Sequence, residues 1–401
     1  MRVRIFPSRG LGRINAPTSK SMSHRMLIAA ALSPKVSTVR GVNLCDDVKA
    51  TLEALKILGA EIEICGNAAR IRGVAPNDIA PSAAIDCHES GSTLRFLIPI
   101  AALSQRTTVF KRDEGLISRP LSEYERIFCE RGLKFDNGSE LSVTGPLASG
   151  EYRIRAGVSS QFISGLIFAL PTLEGESKII IEPPFESRPY VDMTVSAVRE
   201  FGIRADFSNE NTIIIPGNQT YEPNDVSVEG DFSAAAFLDA LSLLGGEVEV
   251  LGLSKGSKQG DKVYREYYRL LASECPTLPV NDCPDLAPIL MALASSLNGA
   301  VLTGTRRLRY KESDRAMAMA EELTKLGVRV VCENDRITVY PCKVFNKNTV
   351  LNGHNDHRIV MALSVLLTAI GGEIEGGLAV AKSYPSFFRD LESLGIRMEL
   401  Y

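Results

Sequence analysis

Pro17-Thr18-Ser19-Lys20-Ser21-Met22-Ser23-His24-Arg25 sets hydroxyl side chains, one Lys and one Arg immediately before an apolar run at 26–32. Ser and Thr are helix-start residues, so a helix begins here. A helix N-terminus offers unpaired N–H groups and the positive end of the dipole. With Lys20, Ser21 and Arg25 added, the stretch makes a candidate anion site suited to phosphate. The alternative is an ordinary capped helix with a solvated Lys, and what separates the two is that the pattern recurs.

Apolar helices headed by a hydroxyl or carboxylate also begin at Ser90, Ser159, Asp231, Asp285 and Asp356. The start-to-start steps are 71, 69, 72, 54 and 71 residues. A near-constant period of this size marks a repeated supersecondary unit. Between these helices lie amphipathic ones at 47–58, 121–130, 190–201, 261–271, 313–326 and 384–394, five of them followed by Gly and an alternating strand. Further strands precede helices, as at 179–182, 247–251 and 301–304. Each repeat reads βαβαββ. Helices apolar all round must be buried, so three per domain form a central bundle covered by sheets and outer helices. The fold class is α/β, with two domains of three repeats each. The expected division is 1–18 plus 226–401 against 19–225, with a crossover near 218–224. The pattern does not assign the strand at 3–6 to either half.

Unusual residues gather where the buried helices begin: Lys20, Ser21 and Arg25; Gly91 and Arg95; Ser159, Ser160 and Gln161; Asp285; and Asp356, His357 and Arg358. If these ends converge on one cleft, their dipoles favour a strongly anionic ligand. Arg309-Tyr310-Lys311-Glu312-Ser313-Asp314-Arg315 opens an outer helix, and i,i+4 spacing puts Lys311 and Arg315 on one helical face with Glu312 between two cations. Arg119, Ser187 and Lys382 lie at loop-to-helix junctions. Each alone is equally a solvated surface charge. His354 and His357 have no Cys or Glu at ligand spacing, which argues against a metal. GxGxxG, P-loop and GxSxG motifs are absent, leaving dinucleotide, ATP and serine-hydrolase readings without support.

The 401 residues are 45% hydrophobic and 23% charged, with net charge −3. This is no basic nucleic-acid binder. No uncharged apolar stretch reaches 18 residues, and the first ten residues lack a signal-peptide apolar core, so a soluble cytoplasmic protein is expected. The eight cysteines form no CxxC pair and read as reduced thiols.

Taken jointly, SKSMSHR (19–25), ESGSTLRF (89–96), SRPL (118–121), SSQF (159–162), ESRPY (186–190), EGD (229–231), the Asp285 segment, RYKESDR (309–315), NDHR (355–358) and Lys382 make the chain resemble the 5-enolpyruvylshikimate-3-phosphate (EPSP) synthase family almost end to end. The resemblance implies the inside-out α/β barrel of the enolpyruvyl transferases, with the active site in the cleft between the two domains. It implies transfer of the enolpyruvyl group of phosphoenolpyruvate to the 5-hydroxyl of shikimate 3-phosphate through a tetrahedral intermediate, with no cofactor and no metal, by a monomer without nucleic-acid or membrane partners. By resemblance, shikimate 3-phosphate is held by Lys20, Ser21, Arg25, Ser159, Ser160, Gln161, Ser187, Asp285 and Lys311. Phosphoenolpyruvate is held by Lys20, Gly91, Arg119, Gln161, Arg315, Arg358 and Lys382. Asp285 matches the proton acceptor and Glu312 the proton donor, and Lys20 completes the catalytic set.

The charges balance. Two phosphates and two carboxylates bring roughly five to six negative charges, and Lys20, Arg25, Arg119, Lys311, Arg315, Arg358 and Lys382 offset them without a metal. Two positions depart from the family, Glu89 and Arg307, where Asn is usual. Arg307 either brings a charge to the substrate or points outward. UDP-N-acetylglucosamine enolpyruvyl transferases share fold and donor, but SSQ, KESDR and DHR favour the shikimate family, and Cys129 lies in a helical pattern rather than in a reactive loop. A non-catalytic phosphate- or RNA-terminus-binding module would show a basic, aromatic-bearing groove, which this near-neutral chain does not.

Overall fold

In a computed structural model, which describes residues 1–138, 140–347 and 349–401, the helix begun by Ser19 runs Lys20–Ala31. Ser19 Oγ accepts from Met22 N at 3.3 Å, satisfying one donor of the open first turn. Ser90 caps Gly91–Ala101, Asp231 caps Phe232–Leu243 and Asp356 caps His357–Ile370 in the same way. The remaining two buried helices start differently. Gln161–Ala169 follows Ser160, and Ala287–Ser296 follows a 3-10 turn, Pro284–Leu286, that carries Asp285. Asp285 is therefore not a cap, and its carboxylate is left for other partners.

Four-stranded sheets share one order, a parallel pair followed by two antiparallel strands, as in Glu151–Arg155, Ser177–Glu182, Thr212–Ile215 and Asp206–Asn209. Two of these four-stranded sheets borrow a strand from a distant part of the chain. Arg2–Ile5 lies antiparallel between Gly372–Glu375 and Met398–Leu400, which settles the N-terminal strand with the C-terminal half. The register sets Arg2 opposite Glu375 and Arg4 opposite both Glu373 and Glu399, so like charges never face across this pairing. Asp225–Ser227 runs parallel to Val36–Arg40 in the first half. That pairing moves 226–229 out of the C-terminal half.

The chain accordingly forms two compact units, Met1–Pro17 with Gly230–Tyr401, and Thr18–Glu229, rather than dividing at 18/19 and 225/226. Each has its own apolar core. In the first, Phe232–Leu243, Ala287–Ser296 and His357–Ile370 pack on one another. In the second, Gly91–Ala101 lies tightly against Gln161–Ala169. Gly165 permits that approach, since a Cβ there would stand 2.2 Å from Tyr124 OH and 2.4 Å from Arg95 O.

The fourth repeat is abridged. Among the described residues its sheet has only Glu247–Leu251 and Leu11–Asn15. Its outer helix, Tyr264–Ser273, ends in extended Glu274 and feeds directly into Thr277–Pro279 of the next sheet. The missing antiparallel hairpin accounts for the single short step of 54 residues. The helix expected at 313–326 starts later, at Arg315, with Asp314 as its cap, and a 3-10 turn Arg306–Tyr310 precedes it. Lys311 and Arg315 therefore do not share a helical face.

Candidate active site

In the unit Thr18–Glu229, three helix starts bring their residues together. Lys20 Nζ lies 2.8 Å from Asp47 Oδ2, both side chains 13% exposed. Arg25 is buried. Its Nε donates to Thr194 Oγ1 at 2.8 Å, Nη1 to Ser21 O at 2.7 Å and Nη2 to Tyr190 O at 3.0 Å. Burial pulls its guanidinium down to about 10, so it stays charged at neutral pH. Ser187, buried and left-handed at φ +56°, precedes the helix Arg188–Glu200 that supplies Tyr190 and Thr194. Gln161 Nε2 donates to Ser92 Oγ at 2.9 Å, and Gln161 Oε1 accepts from Arg95 Nη1 at 2.9 Å. Ser159 Oγ accepts from Gln161 N at 3.2 Å, and Ser160 is buried beside it.

Gly91 faces this group. A Cβ on it would meet Arg119 Nη1 and Arg95 Nη1 at 3.1 Å and Gln161 Oε1 at 3.8 Å. Its φ lies outside the left-handed region, so close approach, not backbone freedom, is what glycine provides here. Arg119 is 8% exposed, and its Nε and Nη2 have no acceptor among the described residues. A buried guanidinium with open donors beside a bare helix start is suited to an anion.

The other cluster centres on Asp285. Its Oδ1 accepts from Arg315 Nη1 at 2.7 Å and Lys311 Nζ at 3.3 Å, and its Oδ2 from Arg358 Nη2 at 3.4 Å. Burial pushes this carboxyl up, but Lys311, Arg358 and Arg315 together outweigh burial and hold it well below the usual range. Arg315, 1% exposed, also donates from Nη2 to Glu312 Oε2 at 2.7 Å and from Nε to Asp356 Oδ2 at 2.9 Å. Asp356 Oδ1 in turn accepts from Arg358 N at 2.9 Å. Lys382 Nζ donates to Asn355 O at 2.6 Å, in the turn before Asp356.

Several participants lay outside the expected set. Asp261, read as the first residue of an outer helix, sits in the turn Gly260–Val263, buried and hydrogen-bonded to Ser233. Burial, aided by the charge of Asp285, pushes its carboxyl up to about 7. Thr194 and Asp47 were hidden because nothing in their local sequence marks them as partners of Arg25 and Lys20. His24 is fully buried. Desolvation first, and then Lys20 and Arg25, hold it well below its ordinary value, so it adds no charge. Arg307 does not point outward. It is 6% exposed, and its charge acts on Lys311. Glu89 lies beside the Glu114–Ile117 turn, its Oε1 3.4 Å from where a Cβ on Gly115 would stand. Cys129 lies on the helix Ser122–Glu130.

Residues 7–274 and 267–391 match the family described as EPSP synthase (3-phosphoshikimate 1-carboxyvinyltransferase). The chain belongs to the EPSP synthase family. The 3-phosphoshikimate 1-carboxyvinyltransferase of Clostridium kluyveri is 39% identical over 98% of this chain and 97% of its own. That of Clostridioides difficile is 35% identical over 99% and 98%. Among solved structures, an Acinetobacter baumannii EPSP synthase has TM-score 0.82 at 24% identity, covering 99% of both chains. The enolpyruvyl transferase NikO of Streptomyces tendae has TM-score 0.77 at 14% identity, covering 99% of this chain and 98% of its own. At such identities these two likenesses concern the fold, the EPSP synthase fold of paired α/β units.

Proposed function

We infer that this family member is a 3-phosphoshikimate 1-carboxyvinyltransferase. It transfers the enolpyruvyl group of phosphoenolpyruvate to the 5-hydroxyl of shikimate 3-phosphate and releases phosphate. The observation that carries the reading is Asp285, a buried carboxylate surrounded by three cations, Lys311, Arg315 and Arg358. Glu312 and Asp356 also pair with Arg315, so three carboxylates hold these three cations in place for substrate anions.

The 5-oxygen attacks C2 of phosphoenolpyruvate while its proton passes to Asp285. Glu312 delivers a proton to C3, and a tetrahedral intermediate results. Loss of phosphate and of one C3 proton restores the double bond. In the free protein Asp285 is held ionised but is a poor base, because the cations keep its carboxyl low. Substrate anions that pair with Arg315, Arg358 and Lys311 weaken that hold and raise the basicity of Asp285 when the hydroxyl is present. Lys20, Ser21, Arg25, Ser159, Ser160, Gln161 and Ser187 bind shikimate 3-phosphate in this reading, with Lys311 and Asp285. Gly91, Arg119, Arg315, Arg358 and Lys382 bind phosphoenolpyruvate, shared with Lys20 and Gln161. The support is the orphaned donors of Arg119, the open approach at Gly91 and the three cations gathered at Asp285. The enzyme acts on freely diffusing substrates as a cytoplasmic monomer.

Phosphorus NMR tests the reading. Phosphoenolpyruvate and shikimate 3-phosphate together should yield inorganic phosphate and one new phosphate monoester. Phosphate from phosphoenolpyruvate alone would point to a hydrolase instead.

A further inference from the structure

The helix Arg315–Lys325 carries two buried charged side chains, Arg315 and Glu322. They are seven residues apart and so lie on one face, two turns from each other. Arg315 belongs to the site already described, but Glu322 has no place in it. Its Oε2 accepts from Asn352 N at 2.9 Å, and its Oε1 accepts from His354 Nε2 at 2.7 Å. Together with Glu321, Glu322 and His354 bring three possible cation ligands within 4.8 Å of one another. The cation is internal, because Lys325 Nζ lies 2.7 Å from Glu322 Oε1 and 3.0 Å from Glu321 Oε1.

What Glu322 grips is a turn. His354 and Asn355 are both left-handed, at φ +49° and +52°, a conformation that non-glycine residues keep only where their surroundings enforce it. The next residue is Asp356, which takes Arg315 Nε and caps the following helix through Arg358 N. Asn355 O takes Lys382 Nζ. One helix thus holds the segment 352–358 at two points, by Glu322 at its start and by Arg315 at Asp356.

We propose that Glu322, acting through His354, is a positioning residue for the phosphoenolpyruvate side of the site. It fixes the left-handed turn so that Asp356 orients Arg315 and Arg358 while Asn355 orients Lys382. The proposal rests on the reading above that these three cations bind phosphoenolpyruvate.

Steady-state kinetics with each substrate varied, alongside melting curves, test it on Glu322→Ala, Glu322→Gln and His354→Gly, with Arg358→Ala as reference. Glu322→Ala should raise the KM for phosphoenolpyruvate about tenfold, within the roughly 10²-fold cost of a displacement near 1 Å, and leave the KM for shikimate 3-phosphate within about twofold. Glu322→Gln keeps an acceptor for Asn352 N and should recover most of the loss. His354→Gly tolerates the backbone angle but lacks the imidazole, so it should show a smaller rise of the same kind, and it carries the test should Glu322→Ala not fold. A lowered melting temperature with both KM values unchanged, or with both raised in parallel, overturns the proposal. If Arg358→Ala raises the KM for phosphoenolpyruvate and neither Glu322→Ala nor His354→Gly does, the proposal alone is wrong. If Arg358→Ala has no effect on that KM, the assignment of the donor cations fails, and the proposal fails with it.

Discussion

Arg315 Nη1 lies 2.7 Å from Asp285 Oδ1. The same guanidinium reaches Glu312 and Asp356, so one buried side chain ties the proposed proton acceptor, the proposed proton donor and the cap of the last buried helix. Asp285→Asn should cut turnover by roughly 10²–10⁴, the usual range for a general base. It should also cost stability, with the sign set by the depressed carboxyl. A folded value below the unfolded one stabilises above about pH 4 and is lost as pH falls through the folded value. The melting-temperature gap between the wild type and Asp285→Asn should therefore narrow below about pH 4. A gap that widens on acidification would mean that the cations do not hold Asp285 ionised.

Asp261 gives the opposite pH signature. Its carboxyl is raised to about 7, so between about pH 4 and 7 the unfolded chain ionises while the folded one keeps its proton, and stability falls as pH rises. Asp261→Asn is neutral throughout and can still hydrogen-bond to Ser233. It should melt above the wild type at pH 8, by at most about 4 kcal/mol, and converge with it at low pH. Melting below the wild type at pH 8 would show that Asp261 is stabilising as an anion.

Gly91→Ala places a methyl 3.1 Å from two guanidinium nitrogens, at the ends of flexible side chains that can yield by a few tenths of an ångström. Ala favours the helix by about 1 kcal/mol over Gly. The variant should melt at or above the wild type, with the KM for phosphoenolpyruvate raised and that for shikimate 3-phosphate little changed. A large loss of stability with both KM values unaltered would place the donor elsewhere.

Glu312→Ala leaves Arg315 with Asp285 and Asp356, so the cluster should survive. Turnover should drop by roughly 10²–10⁴, with shikimate-3-phosphate affinity within about tenfold. Near-normal turnover would reduce Glu312 to an ion-pair partner.

The repeat was legible because burial leaves its mark on local sequence. Helices such as Gln161–Ala169 are buried on every side, and the one short step between helix starts records the hairpin that the fourth repeat lacks. The boundary expected at 225/226 cuts through the strand Asp225–Ser227, since a parallel pairing with Val36–Arg40 across nearly two hundred residues has no local signal. Candidate cations announced themselves at helix starts. Their partners did not. Asp261 looked like an ordinary outer-helix residue, and Glu322 is one of two adjacent glutamates on an amphipathic helix until the turn at His354 closes on it. Lys311 and Arg315 do not share the expected helical face because the helix capped by Asp314 begins only at Arg315, yet both still reach Asp285 through long side chains.

The most direct measurement of the central claim is acceptor-dependent phosphate release from phosphoenolpyruvate. With shikimate 3-phosphate the enzyme should release one phosphate per acceptor consumed. With UDP-N-acetylglucosamine, release should not rise above that from phosphoenolpyruvate alone. Release supported by the nucleotide sugar and not by shikimate 3-phosphate would contradict the account.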